Sequence, residues 1–122
     1  IGVEYDNATN LYLFGMFELN VTYGVAPTAG NTCDLYLIPA LDGTNYDDNT
    51  TGASGTAPIT SFVGGFPLRA VTSAQKVPLG GSLQPIMLPP TKFKTFVINR
   101  AGQAMPASGS TVKMVAYRYQ VV

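Results

Sequence analysis

Three acids crowd one stretch of this chain: Asp42, Asp47 and Asp48, with Asn45 and Asn49 among them. Oxygen-rich loops of this kind can bind calcium, but the spacing is not that of an EF-hand loop, and a solvated turn is the simpler reading. Glu18 and Asp34 fall on adjacent candidate strands. Two carboxylates facing each other across a cleft would suit glycoside hydrolysis. Nucleophilic chemistry has little to work with, because the chain has no His to activate a Ser or Cys. Gly64-Gly65 and Gly80-Gly81 do not open a helix, so neither is a phosphate-binding loop. Tyr5, Tyr12, Tyr23, Tyr36, Tyr46, Tyr117 and Tyr119 would stack on sugars if they shared an exposed face, and would pack the core or its rim otherwise. Cys33, the single cysteine, sits in an alternating apolar pattern and reads as a small inert core residue. No set completes a catalytic constellation. The expectation is a protein that is not an enzyme, with no catalytic residue, no metal and no cofactor.

The segments that carry these residues are strands and turns. From Phe17 the chain alternates, with Phe17, Leu19, Val21 and Tyr23 on one face and Glu18, Asn20 and Thr22 on the other. That pattern predicts a strand within Leu11–Tyr23, with Gly15 marking a bulge. Thr32–Pro39 predicts a second strand, with Cys33, Leu35 and Leu37 on one face. Further strand patterns cover Ser61–Leu68 (broken at Gly64-Gly65), Ala70–Leu79, Leu83–Leu88, Lys92–Asn99 and Thr111–Val122. In Lys92–Asn99, Phe93 and Val97 share a face that Thr95 interrupts. Between the second strand and the third pattern lies a polar loop of 17 residues, Asp42–Pro58, without apolar periodicity. A loop of that length in a compact domain is usually functional or disordered.

No segment repeats every 3.6 residues, and 13 Gly and 9 Pro supply many turns. The expected fold is therefore all-β: a single-domain β-sandwich with jelly-roll or Greek-key connections and seven to eight strands. Residues 1–10 read as an N-terminal arm or a short edge strand, and 11–122 as the sandwich domain.

With 122 residues and 46% hydrophobic content, the chain has one domain with an ample core. Zero net charge argues against a nucleic-acid partner, which requires an excess of Lys and Arg. No apolar run approaches the ~18 residues of a membrane helix, so no membrane partner is expected. The chain opens on Ile1 rather than Met, as when a leader has been removed or a disordered N-terminus is left out, and has no signal-like start. Three Asn-x-Thr sequons, at Asn7, Asn20 and Asn49, are of the kind that arise by chance in a Thr- and Asn-rich chain.

Only 11% of residues are charged, where about a quarter is usual. Such a surface is poorly protected against association, which points to burial against other subunits. The charges are also sorted: all seven acids precede residue 69 and all seven bases lie from Arg69 onward. Two readings fit. N-terminal strands pair with C-terminal ones so that opposite charges meet within the sheets, or acidic and basic patches meet between subunits.

The phrases DLYLIPALDGTNY at 34–46, GGFPLRAVTSAQKV at 64–77 and LPPTKFKTFVINRAGQAMPASGSTVKMVAYRYQVV at 88–122 resemble small structural proteins of tailed bacteriophages. The family is that of capsid decoration or cement proteins. The resemblance implies a β-sandwich subunit, commonly a homotrimer, bound to the major capsid protein on the outside of the virion and stabilising the shell by bridging capsomers. The expected partners are the major capsid protein and other copies of the chain. Expected contact residues are Tyr5, Tyr46, Asp47, Asp48, Arg69 and Arg100, with Asp47 and Asp48 against Arg69 and Arg100 of a neighbour. The competing reading is a tail- or fibre-associated module that binds a receptor or carbohydrate. A secreted adhesion domain fits less well, since one Cys and no Trp leave out an immunoglobulin core.

Overall fold

A computed structural model of the chain describes residues 4–46, 61–80, 84–106 and 109–118. Eight strands are formed by these residues: β1 (Glu4–Asp6), β2 (Phe14–Val21), β3 (Thr32–Pro39), β4 (Phe62–Pro67), β5 (Gln75–Leu79), β6 (Ile86–Met87), β7 (Lys92–Arg100) and β8 (Thr111–Tyr117). They make two antiparallel sheets, and no α-helix occurs among the described residues. The fold is a single-domain β-sandwich, as the alternating segments imply.

The first sheet runs β1-β7-β3-β4. In the second, β2 is central. β8 lies along one edge of β2, from Phe14 to Asn20. β5 pairs with Phe17–Val21 and β6 with Phe14 and Gly15. A strand has only two edges, so β5 and β6 must share the edge that β8 leaves open. Among the described residues the second sheet is thus at most three strands wide at any level.

Alternation fills the space between the sheets. Phe17, Leu19 and Val21 of β2 and Val77 of β5 meet Cys33, Leu35 and Leu37 of β3, Phe66 of β4 and Phe93 of β7 in one buried cluster. Each large side chain so buried contributes roughly 1.5–3 kcal/mol. Tyr5 of β1 stacks on Phe93 with ring centroids 5.5 Å apart, so the segment 1–10 supplies an edge strand at Glu4–Asp6.

The glycine expectations require two corrections. Gly15 does not mark a bulge: its pairing with Ala116 and Ile86 runs in register. A Cβ there would lie 2.8 Å from a Leu88 methyl, so glycine serves close packing. Nor does Gly64-Gly65 break a strand. β4 runs through both, and the irregularity is a bulge in which Leu35 faces Gly64 while Tyr36 faces Phe62, leaving Val63 over.

Two buried amides brace the connections. Asn7 Nδ2 donates to the carbonyls of Tyr12 and Pro89, and Asn7 Oδ1 accepts from the Tyr12 N–H. This holds the β1–β2 link against the approach to β7. Gln75 accepts from the Arg69 N–H and donates to the Arg69 carbonyl, closing the turn before β5.

Candidate interface surfaces

Strand register places side chains on two outer faces, and the faces differ. On the first sheet, Lys92, Lys94, Phe96, Ile98 and Arg100 of β7 point away from the core, as do Asp34, Tyr36 and Ile38 of β3. The charges there are matched across strands. Glu4 lies opposite Lys94 and Asp6 opposite Lys92. Arg100 Nε donates to Asp34 Oδ2 at 2.7 Å, and Thr32 donates to the other oxygen of Asp34 at 2.8 Å. Between these pairs lies a second apolar cluster of Tyr36, Ile38 and Phe96, all buried, flanked by Tyr46 and Ile98. Tyr36 meets Phe62 and Phe96 edge-on, with centroids 5.5 and 6.4 Å apart.

Tyr46 ties the start of the long loop to this face. Its hydroxyl donates to Glu4 Oε2 at 2.6 Å, and Lys94 Nζ lies 4.5 Å from its ring centroid. Burial and the Glu4 carboxylate push the Tyr46 phenol well above the usual tyrosine range. Ahead of it, Asp42 Oδ1 accepts from the backbone N–H groups of Thr44 and Asn45, and Oδ2 accepts from the Asn45 amide. These bonds, led by that from the Asn45 backbone, hold the Asp42 carboxyl down at about 2.

The outer face of the second sheet is less well covered. Glu18 is matched to Lys113 across the β2–β8 pair, and Lys76 lies opposite Asn20. Beyond Glu18 the face is apolar. Met16 is 37% exposed and faces Val115, which is 58% exposed. Met87 of β6 is 71% exposed and faces Phe14, whose ring lies 5.6 Å from Tyr117. Arg118 bends back to this end, over the Tyr12 ring at 5.4 Å and onto the Asn10 carbonyl.

The expected contact residues distribute unevenly. Tyr5 packs inward against the core and Tyr46 clasps its own edge strand. Arg100 is bonded to Asp34 of the same chain. Arg69 is exposed, in the turn that Gln75 closes. Asp47 and Asp48 lie outside the described residues, as do Asn49 and most of the 42–58 loop. In line with the reading of charge pairing within the chain, register sets Glu4, Asp6 and Glu18 opposite Lys94, Lys92 and Lys113, and Asp34 closes an ion pair with Arg100.

The acids singled out in the sequence do not come together among the described residues. Glu18 and Asp34 both turn away from the core, on opposite sheets, so they flank no common cleft. Among the described residues, no three His, Cys, Asp or Glu side chains converge in a metal-ligating group. The described tyrosines do not all share one exposed face: Tyr23 and Tyr36 are buried, and Tyr5 faces the core. Cys33 is buried, and its sulfur lies 3.1 Å from the Tyr23 hydroxyl, which donates to Asn99 Oδ1. Burial pushes the Cys33 thiol up, which keeps it protonated and unreactive. Asn7, in one of the sequons, is buried with its amide engaged, which removes it as a glycan acceptor.

The bare end of the second sheet is the candidate interface. Sequence reasoning missed it because Met16, Met87 and Val115 are far apart in the chain; the available signal was an apolar residue on the polar side of an alternating strand. No protein-family model, curated protein or solved structure matches this chain.

Proposed function

We propose that this chain is a structural subunit of a tailed-phage particle, a decoration or cement protein that sits on the outside of the capsid and bridges capsomers. The observation that supports this most is the apolar strip of Met16, Met87 and Val115 on an otherwise weakly charged sandwich. Exposed apolar groupings rimmed by polar residues mark surfaces that other proteins cover. A subunit that binds only the assembled lattice stabilises it by its binding free energy, with no chemistry required. The major capsid protein is the partner, and copies of the chain act together on the lattice.

The test compares shells with and without the protein under heat or osmotic shock. Decorated shells survive longer in this reading. Met87→Glu, at an exposed position, leaves the sandwich folded by circular dichroism and loses shell binding. Bare shells of equal durability, together with binding of the purified protein to glycans, would move the assignment to a receptor-binding module of a tail or fibre.

A further inference from the structure

We infer that β8 is a pairing edge, and that its partner is the β8 of a second copy, joined antiparallel about a two-fold axis at Met114. The inference does not depend on what particle the protein serves.

The sandwich has four kinds of edge, and three are blunted. β1 is 3 residues long. β4 carries the bulge at Val63 and ends on Pro67. β5 contains Pro78, which has no N–H to offer, and β6 has 2 residues. Short strands, bulges and prolines are the usual devices against edge-to-edge pairing. β8 has none of them: 7 residues, no Pro and no Gly, with no strand along its outer edge among the described residues.

The core under β8 is also incomplete. The inward side chains of β2 are sealed, at 2% exposure or less for Phe17, Leu19 and Val21. Those of β8, Val112, Met114 and Ala116, pack on the same cluster but stay partly exposed. A strand laid beside β8 with apolar inward residues would complete their burial.

β8 itself has the pattern required. In an antiparallel pair centred on Met114, Val112 faces Ala116 of the second copy and Met114 faces Met114, all on the core side. On the outer side Lys113 faces Val115 of the second copy, so the only charge in Val112–Ala116 meets an aliphatic side chain rather than its own kind. Lys113 lies opposite Glu18 across β2, and that nearby carboxylate offsets part of the repulsion that a lysine on an edge normally supplies. Five residue pairs make a small interface, so the dimer is concentration dependent.

Two substitutions at exposed Val115 test the register as well as the pairing. Val115→Glu sets a carboxylate opposite Lys113 of the other copy, twice by symmetry, and tightens the dimer. Val115→Lys sets two lysines opposite each other, twice, and loosens it. Each cross-strand pair is worth roughly a factor of three, so the two variants shift the dissociation constant about tenfold in opposite directions. Sedimentation equilibrium over a range of concentrations reads this, and circular dichroism confirms that both variants keep the fold. A wild-type dimer with opposed effects supports the inference. A monomer at all concentrations, a stable trimer, or two variants that shift association the same way overturns it, since an isologous pair closes at two and a pair centred on Val115 would oppose like charges in both. The shell-durability measurement is separate, so loss of the dimer leaves the decoration reading standing and loss of shell binding leaves the dimer standing.

Discussion

The two outer faces of the sandwich are built from similar residues and treated differently. On the first sheet an apolar cluster of Tyr36, Ile38 and Phe96 is buried, with opposite charges paired on either side and Tyr46 clasped to Glu4. On the second, Met16, Met87 and Val115 stand exposed beside a single matched pair, Glu18 and Lys113. Apolar content alone therefore does not mark an interface. The faces differ in degree of cover: the chain covers most of the first, where Phe62 stays 46% exposed, and less of the second.

The contrast implies that the first sheet carries stability and the second sheet's outer face carries association. Phe96→Ala, in the buried cluster on the first sheet's outer face, should lower unfolding free energy by about 3–5 kcal/mol, whereas Met87→Ser should stay within about 0.5 kcal/mol. Urea denaturation of the two variants decides it, and comparable losses would break the contrast. Asn7→Ala leaves the Tyr12 N–H and the Tyr12 and Pro89 carbonyls without their partner, and should cost about 1–3 kcal/mol. It should also speed amide exchange in residues 8–13, because Asn7 fixes where β1 hands over to β2. Asp34→Asn tests the charge matching. The Arg100 side chain is 57% exposed and that of Asp34 15%, so solvent screens the pair, and at most about 1 kcal/mol should be lost, less at high salt. A larger, salt-independent loss would show that burial of Asp34 matters more than the pairing.

The smallest effect is a local titration. Asp42 has a carboxyl pKa of about 2 in the folded chain, below the roughly 3.9 of an unfolded one. A lowered folded value means that its contribution is present above pH ~4 and is lost as pH falls through about 2. The amide shifts of Thr44 and Asn45 should titrate with a midpoint near that value, while core signals in β2 and β3 remain in place. Titration near the ordinary carboxyl value would mean that the turn is not held in solution.

Local pattern made much of this legible. The alternation from Phe17 to Val21 marks the inward face of β2, and Thr32–Pro39 coincides with β3. Alternation could not show that Tyr36 and Ile38, on the opposite side of β3, are buried as well, because their cover is set by the distant residues Phe96 and Tyr46. The sorting of charges was visible, but its meaning needed register: Lys94 could be assigned to Glu4 only once β1 lay beside β7. That β8 has no strand along its outer edge among the described residues left no trace in its own sequence, which reads like any interior strand. Being an edge is a property of topology, not of residues.

That topology also bears on how the chain comes to fold. β1 and β3 both pair with β7, and β2 pairs with β8. β2, the centre of its sheet, cannot be flanked on both sides until Thr111–Tyr117 has left the ribosome. Native pairings that join the two ends of a chain are slow to form, because long loops must close before any contact rewards them. During synthesis at roughly 5–20 residues per second, the edge of β2 that β8 takes waits for several seconds without its partner. A chain stopped before Thr111 should therefore leave that edge unpaired and aggregate more readily than one that includes β8. The latest made of the described strands is the one that flanks β2 along most of its length.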